Sequence, residues 1–239
     1  MIKRILLVAP LLSALIFFTA PESSLAWLDE THLAVAQAAG YSKWYNATAP
    51  EIAIVKAPLQ EPPNHYYNGD PDVKVTPELV LLQANRYNDP DDQQGHLYGA
   101  IIGATRAYRE SLREGKYAEA HLAYLAHYVG DLSQPLHNAP HDDFNKARHL
   151  SSDGILEKEI LGKLPRLHEH MSPVALSGLS ESQFEQSLAE KVAEIANHAR
   201  ELYRKMRAAQ RDITVDEAYI QLGRSASLLQ AVLLHLHAR

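Results

Sequence analysis

The 239-residue chain contains no cysteine. That absence excludes a disulfide-stapled scaffold and any metal site built on thiolates. Positive charge is not in excess either. The 23 Lys and Arg against 29 Asp and Glu give a formal net charge of −6, which argues against a basic surface for non-specific nucleic-acid binding. Beyond the first 26 residues no stretch is apolar enough to span a bilayer, which takes ~20 residues. Strand alternation is missing throughout, Val73-Lys74-Val75 being too short to count. Internal repeats and low-complexity tracts are missing as well. Apolar residues still make up 46% of the chain, so it can pack a core and wholesale disorder is excluded.

The opening segment reads as an address. Lys3 and Arg4, the mostly apolar run from Ile5 to Phe18, and the small residues of Ser24-Leu25-Ala26 form the pattern of a secretory signal peptide over 1–26. The expected localisation is secreted or periplasmic, with 27–239 as a single domain. Cleavage after Ala26 makes Trp27 the amino terminus, and a free α-amino group, which titrates near ~8, can bind a metal in its neutral form.

What remains is helical in its spacing. Phe184, Leu188, Val192, Ile195, Ala199, Leu202 and Met206 recur at steps of three and four, as do Tyr219, Leu222, Ala226, Leu229, Leu233 and Leu236. Both sets predict amphipathic helices over 183–207 and 214–237. Thr76-Pro77-Glu78 is a helix start, with an N-cap and proline at the first position, leading toward Tyr87. Asn88-Asp89-Pro90 breaks it, and a further helix is predicted over 94–114. The segment 116–130 differs, because its apolar residues cover all sides, which predicts a buried helix. It nevertheless carries His121, His127 and Asp131, groups that are costly to bury unless paired or bound to a metal.

Histidine, thirteen in all, is the outlying count. The strongest pattern is His127-Tyr-Val-Gly-Asp131-Leu-Ser-Gln-Pro-Leu-His137. On a helix His127 and Asp131 share one face, one turn apart; Pro135 then ends the helix and His137 can turn back. His149-Leu-Ser-Ser-Asp153 repeats the spacing of four. Two such pairs with His137 offer five nitrogen and oxygen ligands, a mix that suits zinc, with manganese or iron as alternatives. His96 is read as a capping or supporting group, and His141 as a loop residue. His168, His170, His198, His235 and His237 are read as solvated.

His127–His137 resembles the core motif of the zinc-dependent phospholipase C and single-strand nuclease superfamily. The resemblance implies an all-α, multi-helix bundle around a cluster of three zinc ions. In that family the mature chain begins with a metal-binding tryptophan, which Trp27 matches, and a histidine follows, which His32 matches. His65-Tyr66-Tyr67-Asn68 is similar to a His-Phe-Tyr-Asp-like segment, and Glu51 stands fourteen residues earlier where the family has aspartate. The resemblance thus implies that Glu51, His65, His127 and Asp131 hold one zinc. Trp27, His32 and Asp131 would hold a second, with Asp131 bridging, and His137, His149 and Asp153 the third. Glu51 is also the expected catalytic residue, orienting or deprotonating the attacking water.

The activity so implied is phosphodiester hydrolysis. Lack of cysteine and compact length favour the phospholipase C branch, acting on phospholipid with transient contact to a membrane surface. Tyr66 and Tyr67 are candidates for an aromatic face toward a quaternary ammonium headgroup. A nuclease acting on single strands is the alternative, and a non-catalytic secreted zinc-binding module is the third.

Overall fold

The computed structural model describes residues 27–237, so the signal-peptide reading of 1–26 lies outside the described residues. Among these residues there are nine α-helices and no strand. In chain order they are α1 (Asp29–Ala38), α2 (Ala49–Lys56), α3 (Pro77–Gln83), α4 (Leu97–Arg113), α5 (Glu119–Leu132), α6 (Asp143–Asp153), α7 (Leu164–Glu169), α8 (Glu181–Ala208) and α9 (Val215–His235). The all-α expectation holds, and no helix of the described residues is long and apolar enough to cross a membrane.

Local chemistry sets the boundaries. Thr76 accepts from the Leu79 amide at 3.3 Å and Pro77 opens α3, as its sequence predicts. Ser180 with Gln183, and Thr214 with Glu217, form reciprocal capping boxes at the starts of α8 and α9. Asp142 caps α6 through the Asn145 amide. The helix predicted toward Tyr87 stops at Gln83 and tightens into a 3-10 turn, Ala84–Arg86. The helix predicted over 116–130 runs later, Glu119–Leu132, which places Asp131 inside it rather than beyond its end.

Helix α5 is the axis of the molecule. From Leu122 to Leu132 every residue except Tyr124 is buried, because α4, α9, α1, α2 and α8 all pack against it. Apolar residues on all its sides therefore meet apolar partners. Its polar residues His127 and Asp131 are fully buried on the side of α1 and α2. Beyond α5, Pro135 opens a 3-10 turn, Pro135–Asn138, that carries His137. Gln134 accepts from the Leu136 amide at 3.0 Å, and the Asn138 amide donates to the carbonyls of Leu132 and Gln134, closing the end of α5. That turn lies on α8, and α6 follows it.

Candidate metal centre

Six segments converge on the polar side of α5. Helix α1 brings His32, α2 brings Glu51, the loop after the 3-10 turn Pro62–Asn64 brings His65, α5 brings His127 and Asp131, the next turn brings His137, and α6 brings His149 and Asp153. Three groups form in which ligand atoms lie within 4.8 Å of one another: His32, His127 and Asp131; Glu51, His65 and His127; and His137, His149 and Asp153.

A tetrahedral zinc with ligands at ~2.0–2.1 Å has ligand-to-ligand edges of about 3.3 Å. In the group around His65 the edges are 3.0 Å (His65 Nδ1 to Asp131 Oδ2), 3.2 Å (His65 Nδ1 to His127 Nε2), 3.4 Å (His127 Nε2 to Asp131 Oδ2) and 3.2 Å (His127 Nε2 to Glu51 Oε1). His32 Nε2 stands 3.3 Å from the other oxygen of Asp131. His149 Nε2 is 3.1 Å from His137 Nε2 and 3.3 Å from Asp153 Oδ2. Asp131 therefore points one oxygen at each of two groups.

Outer partners fix which imidazole face looks inward. His127 Nδ1 donates to the Ala47 carbonyl at 2.8 Å, and His137 Nδ1 to the His65 carbonyl at 2.8 Å. His149 Nδ1 donates to Asn145 Oδ1 at 2.7 Å, an amide oriented by its own donation to the Leu136 carbonyl. Each leaves the Nε2 lone pair facing the group, as in metal-bound histidines. His137 and His149 thus aim two lone pairs toward one point across 3.1 Å, where a bound cation would be held by both. The buried side-chain atoms without a hydrogen-bond partner include both nitrogens of His32, Glu51 Oε1 and Asp131 Oδ1, all at this centre. The donor set fits divalent metal ions.

Titration follows the same logic. Burial would raise Asp131, but His127, His137 and His32 hold it well below the usual carboxylate range. Burial likewise opposes the lowering of Glu51, and the neighbouring His127 and His65 outweigh it. Burial pushes His137 down to about 4 and His149 to about 3. His65 goes the other way: burial lowers it, yet hydrogen bonds to Asp131 and Glu61 raise it to about 10, so a proton occupies the cation's position.

Trp27 is buried, and the next amide, Leu28 N, lies 3.5 Å from the Asp153 carbonyl, which seats the start of the described chain against the end of α6. Its α-amino ligand depends on cleavage after Ala26, outside the described residues. His32 lies flat on His127 with ring centres 3.7 Å apart, and only a glycine fits beneath it. A Cβ on Gly130 would meet His32 Nδ1 at 2.6 Å. Gly130→Ala is therefore expected to displace His32, costing about 1–3 kcal/mol of overpacking strain and one metal equivalent; thermal melts with metal counting check this.

Sequence reasoning missed the supporting residues other than His96. Glu61 is buried and its Oε1 accepts from His65 Nε2 at 3.2 Å and from the Tyr128 hydroxyl at 2.7 Å. Asp92 and His96 pair at 3.0 Å, and His96 Nε2 reaches Asn64 Oδ1 at 2.9 Å, pinning the loop before His65. His96 makes no side-chain capping bond, and of the two readings its sequence allowed the supporting one holds. The Gln134 amide donates to Asp153 Oδ1. Glu61–His65, Asp92–His96 and Asn145–His149 all repeat the spacing of four that marked His127–Asp131, and that was the available signal. His235 is not solvated: it stacks on Phe184 with ring centres 3.8 Å apart.

A cavity of about 260 Å³ opens beside the third group, lined by Pro62, Tyr66, Asn68, Leu136, His137, His141 and His149. Tyr66 faces it, whereas Tyr67 packs against Tyr98 in the core. A larger recess of about 590 Å³, between 72–77 and the outer face of α8, contains none of the clustered ligands. Comparison with known proteins finds no matching family model, no matching curated protein and no matching solved structure.

Proposed function

We propose that the chain is a secreted or periplasmic metal-dependent phosphodiester hydrolase of phospholipase C type, holding up to three zinc ions. The observation that supports it best is the spacing of about 3.3 Å among ligand atoms in three groups, two of them joined by Asp131. Bound zinc would supply a water acidified to a pKa near ~7 and positive charge for the phosphate oxygens. Three divalent ions against Glu51, Asp131, Asp153 and the newly found Glu61 leave the centre net positive inside an acidic chain, which favours a phosphate anion. Glu51 is the least buried ligand, with 28% of its side chain exposed, and it is held ionised. It can accept a proton from a water entering the group of His65 and His127. His137 and His149 line the cavity where the phosphodiester would lie, with Tyr66 and Asn68 as its wall. A non-catalytic zinc module would close this space.

A second reading is favoured by the cavity itself. It has one aromatic face and the Asn68 amide, with no carboxylate among its lining residues. That chemistry suits a stacked nucleobase at least as well as an ammonium headgroup, which prefers several rings. Single-stranded nucleic acid is therefore the alternative substrate. Parallel assays on phosphatidylcholine vesicles and single-stranded DNA separate the two. Hydrolysis of one is expected, abolished by chelation and restored by zinc; zinc-independent hydrolysis, or none of either, would overturn the proposal. Tyr66→Ala is expected to raise KM with metal content unchanged. The rise is about 5–100-fold if a base stacks there and smaller, from ~0.5–2 kcal/mol, if an ammonium does.

A further inference from the structure

We propose that Glu61, clamped by Tyr128, is the positioning residue that turns His65 Nδ1 toward the metal and sets the affinity of that one site. This rests on the metal reading above, and not on the phosphodiester chemistry.

Among the ligand histidines with an outer partner, His127, His137 and His149 donate to neutral oxygens: Ala47 O, His65 O and Asn145 Oδ1. His65 alone donates to a carboxylate, at 3.2 Å. Glu61 Oε1 accepts from both His65 Nε2 and the Tyr128 hydroxyl, so Nε2 carries a hydrogen and Nδ1 is left to offer its lone pair once a metal displaces the proton there. That lone pair faces Asp131 Oδ2 and His127 Nε2 at 3.0 and 3.2 Å. The carboxylate also makes the imidazole a stronger electron donor, the effect seen in carboxylate–histidine–zinc triads.

The clamp is built in from two directions. Pro62 and Pro63 form a stiff 3-10 turn that holds Glu61 and His65 four residues apart on one side. Tyr128, fully buried and adjacent to His127 on α5, donates to the same oxygen at 2.7 Å. One turn of α5 thus supplies a ligand and steadies the partner of a second ligand. Glu61 is only 4% exposed, and its ion-pair partner among the described residues is His65 rather than a lysine or arginine. Burying such a carboxylate is costly unless positive charge reaches it, and the route runs through the imidazole to the cation on its far side.

The test is zinc titration of the chelated full chain in competition with a chromophoric chelator, with cobalt absorption as a second readout. Glu61→Ala is expected to weaken one binding step by ~10–100-fold and leave the others unchanged. Glu61→Gln keeps an acceptor oxygen without the charge and should recover part of the loss; Tyr128→Phe should lose less than Glu61→Ala. In a His65→Ala background, Glu61→Ala should add nothing to the weakened step, and the cobalt bands should change only where His65 is present. Unchanged steps in Glu61→Ala would overturn the proposal. Should that variant not fold, unchanged steps in both volume-preserving variants would overturn it equally. A wild-type chain that takes up no zinc would instead overturn the metal reading itself.

Discussion

Asp131→Asn should strip the protein of two metal ions while leaving the third. Asp131 Oδ1 stands 3.3 Å from His32 Nε2, and Oδ2 stands 3.0 Å from His65 Nδ1 and 3.4 Å from His127 Nε2. An asparagine of the same shape keeps one acceptor oxygen and turns an NH2 toward the other group, where it meets lone pairs or metal as a donor. Both sites lose a charged ligand, so the loss at each should exceed the ~10–100-fold typical of an outer partner. His149→Ala should do the reverse, emptying only the group of His137 and Asp153. Elemental analysis gives the stoichiometries, and the proposed phosphodiester hydrolysis should be lost in both variants. Full metal content with full hydrolysis in Asp131→Asn would refute the bridging role.

The second large effect is on stability against pH in the chelated protein. His137 and His149 are buried neutral, with folded values of about 4 and about 3 against ~6.5 for an unconstrained imidazole. Protonation therefore favours the unfolded chain. Their contribution is complete above pH ~6.5 and is lost as pH falls toward 4 and then 3. His65 has the opposite sign. Its folded value of about 10 means that its contribution is complete below pH ~6.5 and is lost as pH rises through 10. Asp131, depressed in the fold, adds a further loss only at pH below its ordinary range. The chelated protein should be most stable near pH 6.5 and weaken on both sides, by several kcal/mol on the acid side, a large part of the ~5–15 kcal/mol of an ordinary domain. Zinc should flatten the alkaline limb, since it replaces the proton on His65, and steepen the acid limb, where protons displace it. Melting curves across pH with and without chelator check this; an alkaline limb that zinc leaves unchanged would contradict it.

The long helices were legible in sequence because α8 and α9 carry steps of three and four over 28 and 21 residues, with caps at their starts. Helices α2 and α7, of eight and six residues, are too short for a periodic stripe to stand out. Five of the clustered side chains, His127, Asp131, His137, His149 and Asp153, were legible because their chemistry is in the side chain and their spacing in the chain, whereas His32, Glu51 and His65 rested on the family resemblance. The outer partners are another matter. His127 is oriented by the carbonyl of Ala47, eighty residues away, and a backbone oxygen leaves no trace in the residue type that carries it. Glu61 did leave a trace, four residues before His65, but a lone pair of that kind is commonplace on protein surfaces. Only the Tyr128 hydroxyl, brought in by α5, shows that it is buried.

The neutral oxygens behind His127, His137 and His149 belong to the folded backbone or to an amide that the backbone orients. Their grip does not depend on the ions they prepare for. With metal ions bound as proposed, the protein could release them and keep the shape of the receptacle, so that rebinding would be a matter of diffusion and deprotonation rather than of refolding.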